Sequence, residues 1–310
     1  MIQFTGVTKR YGSLTAVSNL NLSVENGSVT VLIGPSGCGK STTLRMINRL
    51  LEPDDGIVEV DEMALRDYDP AQLRLKIGYV IQSVGLLPHM RVRQNISIVP
   101  RLLGWEKQRR RERVDELLET VGLDPARYRN MFPAQLSGGE AQRVGVARAL
   151  AADPPYLLMD EPFGAVDPLT RTVLQRSFRE IQSRLKKTVV LVTHDLDEAI
   201  YLADRIALMK DGILQQEGTA ADLLLHPVND FVREFTGNDR MLRMLGTVEL
   251  EYLEGWDGAD GSRPTLRDAM SHLLATEGKP VKVRRAGRST GDSNTDELLD
   301  FETLRSMVPT

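Results

Sequence analysis

Eight residues, Gly34-Pro-Ser-Gly-Cys-Gly-Lys-Ser41, constrain this chain more than any other stretch. They follow a short β-branched apolar run, Val29–Ile33, and open a helix that begins near Lys40. Glycines at 34, 37 and 39 let backbone N–H groups turn inward and approach an anion without a Cβ in the way. A helix N-terminus at the same place adds partial positive charge. The strand–loop–helix context is that of a polyphosphate cradle, in which Lys40 neutralises β- and γ-phosphates and the Ser41 hydroxyl ligates Mg²⁺. Pro35, Ser36 and Thr42 complete the cradle. Cys38 reads as a small residue tolerated within it, although a thiol beside a helix N-terminus can also be unusually acidic. Such a loop names a nucleotide-binding superfamily, not an activity.

Further apolar runs at Gly78–Ile81, Tyr156–Met159, Val189–Thr193 and Ile206–Met209 alternate with helix-length stretches. That alternation predicts an α/β domain with a largely parallel sheet. Ile2–Val7 and Leu20–Val24 alternate apolar and polar residues, as half-exposed antiparallel strands do. From about residue 88 to 150 the pattern becomes helical. Val114, Leu117, Leu118 and Val121 share one helical face, and this predicts a helical subdomain inserted in the α/β core. The basic run Lys107–Arg113 just before that face contains Glu112 and no aromatic residue, so it reads as a solvated helix surface rather than a nucleic-acid patch. Composition shifts after Gly237, and a boundary is expected near 238. Residues 255–264 and 286–295 carry little apolar content, while Thr265–Ala275 is amphipathic.

Several function classes fall away. A net charge of −4 gives no global field for nucleic acid. One cysteine excludes an internal disulfide framework and fits a reducing compartment. The first residues lack the basic-then-apolar pattern of a secretory signal. No apolar run is long enough to cross a bilayer, so any membrane role requires a partner.

Three further features narrow the chemistry. Tyr156-Leu-Leu-Met-Asp160-Glu161 is an apolar run ending in two carboxylates, one suited to hold Mg²⁺ through water and the next to act as general base on an attacking water. Leu136-Ser137-Gly138-Gly139-Glu140 precedes a helix and forms a second anion-binding turn. One nucleotide does not need two such cradles, so the economical reading is that this one serves a second copy of the chain; a simple capped helix start, with Ser137 as N-cap, is the alternative. Gln82 and His194 each follow a core strand, within reach of a phosphate.

In order, Tyr11, the loop at 34–41, Gln82, Leu-Ser-Gly-Gly-Glu (136–140), Met-Asp-Glu-Pro (159–162), Gly-Ala-Val-Asp (164–167) and His194 resemble the nucleotide-binding subunit of ABC transporters over residues 1 to about 238. The resemblance implies a P-loop NTPase core with an antiparallel β subdomain and an inserted helical subdomain. It implies that Tyr11 stacks on adenine and that Gln82 contacts Mg²⁺ or water and reports to a membrane subunit. Ser137, Gly138 and Gly139 then contact ATP bound to the other protomer, Asp167 lies at the dimer interface, and His194 holds the γ-phosphate. Glu140 departs from the glutamine usual there, and no loss of activity is expected from it.

Met46–Pro53 and Ile77–His89 resemble the ATPases of osmoprotectant importers, which take glycine betaine, choline or proline betaine. Expected partners are a second copy of the chain, separate permease subunits and, indirectly, an extracytoplasmic solute-binding protein, with the chain at the cytoplasmic face of a bacterial membrane. Importers of methionine or other amino acids use related ATPases, and soluble ABC-type ATPases of translation or repair are a further alternative. Residues 239–310 resemble at most one degenerate cystathionine-β-synthase-type (CBS) module, a small α+β appendage with Thr265–Met270 opening its helix and Leu298–Met307 as its end. A packing or dimerisation role is expected of it.

Overall fold

The computed structural model describes residues 1–82, 85–164, 166–237, 250–253, 264–266, 268–269, 281–285 and 297–299. Two compact units are present, Met1–Glu217 and Gly218–Thr310. The expected boundary at 238, the loops at 255–263 and 286–295, and most of the residues resembling a CBS module lie outside the described residues.

In the first unit, β1 (Ile2–Tyr11) and β2 (Leu14–Val24) form a long antiparallel pair, followed by β3 (Val29–Ile33) and α1 (Lys40–Ile47). Then come β4 (Asp55–Val60), β5 (Met63–Ala64), α2 (Pro70–Leu75) and β6 (Ile77–Val80). A helical insertion holds α3 (Val92–Ile96), α4 (Ile98–Leu102), α5 (Lys107–Thr120), α6 (Pro125–Tyr128) and α7 (Gly138–Ala149). The chain returns through β7 (Tyr156–Asp160), α8 (Pro168–Leu185), β8 (Thr188–Val192), α9 (Leu196–Leu202), β9 (Arg205–Lys210) and β10 (Ile213–Gly218).

One sheet has the order β2-β1-β4-β5, the other β10-β9-β3-β8-β7-β6. Strands β9, β3, β8, β7 and β6 are parallel. Every residue of β3, β7 and β8 is buried, which is why these strands read as unbroken apolar runs: a parallel sheet is covered on both faces, here on one side by the core it shares with the antiparallel sheet. The antiparallel sheet shows the expected alternation, with Ile2 and Phe4 buried on β1 and Leu20, Leu22 and Val24 on β2.

The structure revises some limits. β1 and β2 run on past the apolar segments seen in sequence, because their pairing continues through bulges as far as Tyr11 opposite Leu14. α5 begins at Lys107, so the basic run forms its first two turns rather than preceding it. Val114, Leu117 and Leu118 are its buried face, as periodicity predicts. In the second unit, α10 (Ala220–Leu225) and α11 (Asp230–Thr236) precede an antiparallel sheet of β11 (Leu250–Leu253), β12 (Val281–Arg285) and β13 (Glu297–Leu299). A helical turn opens at Thr265, where Asp268 accepts from the Thr265 backbone N–H at 2.7 Å and its own N–H donates to the Thr265 hydroxyl at 3.3 Å.

Leu158, on β7, is fully buried in the core shared by both sheets. Leu158→Ala is expected to lower unfolding free energy by about 3 kcal/mol, read as an earlier midpoint in chemical denaturation. A loss under about 1 kcal/mol would mean that the surrounding core closes over the site.

Candidate functional site

Because β3, β8, β7 and β6 lie side by side and parallel, their carboxyl ends open on one edge. The segments leaving those ends carry the phosphate loop, His194, the Asp160–Glu161 pair and Gln82 respectively. Crevices at the carboxyl ends of parallel strands are where open α/β sheets bind ligands.

The loop has the shape its glycines predict. Gly34 has φ 145° and Gly39 φ 103°. A Cβ on Gly34 would lie 2.1 Å from the Met209 carbonyl oxygen, and one on Gly39 would lie 2.3 Å from that of Ala16. Pro35, Ser36 and Gly37 form the exposed rim, whereas Cys38 and Lys40 are buried. Helix α1 starts at Gly39 with no side-chain cap, leaving the first-turn amides of Lys40, Ser41 and Thr42 for an anion. Lys40 Nζ donates to the carbonyls of Gly34 (2.7 Å) and Pro35 (2.9 Å). The Cys38 thiol lies 3.6 Å from that ammonium. Burial raises the thiol's pKa despite the neighbouring charge, so Cys38 is packing here rather than an activated nucleophile.

Ser41 Oγ donates to Asp160 Oδ1 at 2.9 Å, and Asp160 is only 5% exposed. A hydroxyl and a carboxylate at that spacing suit Mg²⁺, which keeps several waters and takes its other oxygens from phosphates. Among the described residues no cluster of three or more His, Cys, Asp or Glu side chains could hold a metal. Arg45, on α1, approaches Asp160 Oδ2 at 4.0 Å.

Glu161 sits between two polar partners. Gln82 Nε2 donates to its Oε2 at 2.9 Å, and His194 Nδ1 lies 3.4 Å from its Oε1. Its backbone is left-handed, φ 45°, and its N–H donates to the Val192 carbonyl at 3.0 Å. A side chain in that region is strained by about 1–2 kcal/mol; here the strain aims the carboxylate across the strand ends. The structure thus brings together Lys40, Ser41, Asp160, Glu161, His194 and Gln82.

Tyr11 ends β1, 46% exposed, with Lys9 Nζ 5.8 Å from its ring centre. Ser137 caps α7 in a capping box: its hydroxyl accepts from Glu140 N–H at 3.3 Å and its own N–H donates to Glu140 Oε2 at 2.7 Å. Gly138 is exposed, while Gly139 is buried so closely against α8 that a Cβ would meet Thr170 Cγ2 at 2.6 Å. Among the described residues no hydrogen bond joins this turn to the phosphate loop. Asp167 caps α8, accepting from Thr170 N–H at 3.0 Å.

Sequence reasoning missed Tyr128. Its hydroxyl donates to Glu140 Oε1 at 2.6 Å. That bond, with the Ser137 N–H, holds the Glu140 carboxyl below its ordinary pKa. Glu140 is therefore an anchored acceptor of two hydrogen bonds, which is how an acid is accommodated at this position. Nothing in the sequence marks the pair, because twelve residues and a short helix separate them.

The ABC transporter family model matches residues 17–164. The choline transport ATP-binding protein of Bacillus subtilis is 53% identical over 244 residues, 78% of this chain; the aligned part spans 64% of that relative's length. The glycine betaine uptake system ATP-binding protein of Escherichia coli is 47% identical over 307 residues, covering 96% of this chain and 99% of the relative. Among solved structures, a dimeric bacterial ABC transporter cassette superposes with a TM-score of 0.64 at 36% identity, covering 71% of this chain and 98% of the cassette.

Gly39→Ala is expected to weaken binding of a nucleoside triphosphate by about tenfold or more, since the added Cβ collides with backbone at a left-handed position. Gly138→Ala, where an added Cβ meets nothing within 4 Å, should leave binding by a single chain unchanged. Titration calorimetry with the full chain separates the two.

Proposed function

The chain belongs to the ABC transporter family, and from that premise we propose that it is an ATP-hydrolysing subunit energising import of a small solute across a bacterial cytoplasmic membrane. The observation that carries the reading is the Gln82–Glu161–His194 cluster beside the Ser41–Asp160 pair. That arrangement matches what phosphoryl transfer to water requires: a polyphosphate cradle, a place for Mg²⁺, a base, and groups that hold the base in line.

In this reading, Lys40 and the first-turn amides of α1 hold the β- and γ-phosphates, and Tyr11 stacks on the adenine. Ser41 and Asp160, with Gln82, would hold Mg²⁺, which when bound offsets phosphate charge. Glu161 takes a proton from the water that attacks the γ-phosphorus, and the bond to the β-phosphate oxygen breaks to release ADP and phosphate. His194 steadies the γ-phosphate and Gln82 orients the carboxylate. Ser137, Gly138, Gly139 and Glu140, which no hydrogen bond among the described residues joins to this chain's own loop, complete the site of a second copy, with Asp167 at the interface between them. Two chains then close head to tail on two ATP molecules.

Among the described residues no helix is long and apolar enough to cross a membrane. Coupling to transport therefore assigns the membrane path to separate permease subunits, fed by an extracytoplasmic solute-binding protein, with this chain at the cytoplasmic face. The solute class proposed is a quaternary-amine osmoprotectant, supported by relatives that serve choline and glycine betaine.

Glu161→Gln should keep ATP binding, reduce turnover by about a hundredfold or more and give a dimer stabilised by ATP in size-exclusion chromatography. A variant that hydrolyses normally and stays monomeric at saturating ATP refutes the assignment of the base. Deleting the chain from its host should abolish uptake of radiolabelled glycine betaine or choline. Retained uptake of both, with loss of methionine uptake, would instead assign an amino-acid importer.

A further inference from the structure

Glu140 puts a carboxylate on the same turn whose amides are open to an anion. The N–H groups of Gly138 and Gly139 have no hydrogen-bond partner among the described residues, because the Ser137 hydroxyl accepts from Glu140 N–H instead, at 3.3 Å. Both amides head the first turn of α7, where a helix end favours negative charge. The carboxylate of Glu140, also in that first turn, is itself a candidate for the place. Left to rotate, it would compete with an incoming phosphate for the two amides, or repel it.

Two bonds hold it back. Glu140 Oε2 accepts Ser137 N–H at 2.7 Å, which folds the side chain past the start of the helix. Oε1 accepts the Tyr128 hydroxyl at 2.6 Å, the length of a charge-assisted O–H···O⁻ bond. Only the second of these comes from outside the turn. Tyr128 is a fixed post for it: the residue ends α6 and is 8% exposed. Its N–H donates to the Asp124 carbonyl at 2.9 Å. The next residue, Arg129, is paired with Asp115 on α5 at 3.0 Å. Tyr128 and Ser137 also hold the Glu140 carboxyl below its ordinary pKa. Protonation therefore does not remove the charge at neutral pH, and only its position is open to control.

We propose that Tyr128 is a positioning residue for the nucleotide site that the Ser137 turn completes on a second copy, a role that rests on the shared-site reading above and deepens it. Its hydroxyl holds the Glu140 carboxylate off the Gly138 and Gly139 amides, so the turn accepts a γ-phosphate although it carries an acid. Tyr128 itself touches no nucleotide; it acts through Glu140. Without its bond, Ser137 N–H alone restrains the carboxylate, and the free amides beside it draw it in. A glutamine at this position carries no charge to hold back, so the hydroxyl matters to the ligand only while residue 140 is an acid.

The test is the monomer–dimer equilibrium of the full chain carrying Glu161→Gln, so that ATP is bound and not consumed, measured by sedimentation at saturating ATP and Mg²⁺. Adding Tyr128→Phe should raise the dimer dissociation constant by about tenfold, as expected for one charge released beside a phosphate. That loss should shrink at high salt. In a Glu140→Gln background the same change should alter the constant by less than about twofold, because no charge is released. An unchanged constant in Tyr128→Phe overturns the proposal. So do equal losses in the two backgrounds that follow a lowered unfolding midpoint, since they assign Tyr128 a structural role. A Glu161→Gln parent that stays monomeric overturns the shared-site reading, and the role of Tyr128 falls with it.

Discussion

Backbone pairing between β3, β8, β7 and β6 decides where every reactive group in the first unit lies. Four neighbouring parallel strands must end on the same edge, and no strand can shift by one residue without turning its buried side chains outward. Val29, Val189 and Leu157 lie level with one another across the sheet, as do Leu32, Val192 and Asp160. The phosphate loop, Glu161, His194 and Gln82 are each one or two residues past that common line, and Asp160 lies on it. Their separations therefore depend on core packing more than on any contact among themselves. A change deep in β7 reaches the site through the same register.

Much of this could be read before the structure. The loop at 34–41 and the apolar run into Asp160 each carry their meaning in adjacent residues, and their surroundings obey local rules. Strand order is different. Gln82 and His194 are ordinary polar residues after ordinary strands, and only the placement of β6 and β8 on either side of β7 brings them to Glu161. In the second unit, β12 carries the sequence Val-Lys-Val-Arg-Arg, too charged to announce itself as the middle strand of a sheet.

The second anion-binding turn shows a different economy. The Ser137 turn is rigid on its own account, fastened by a capping box, by Tyr128 and by the close approach of Gly139 to α8. Each of those bonds is internal to the first unit. If, as proposed, this turn meets a ligand held by a second copy, being shaped in advance means that less freedom is lost at the encounter. The phosphate loop is likewise held by its own lysine, through the carbonyls of Gly34 and Pro35.

The left-handed backbone at Glu161 has a consequence for how such a protein can change. Asparagine or glycine would sit there with less strain, glycine by about 1 kcal/mol or more, and either would extinguish the carboxylate. Random variation screened only for heat resistance would therefore tend to lose the carboxylate at this position. The residue proposed as the general base is thus one that folding alone would favour replacing.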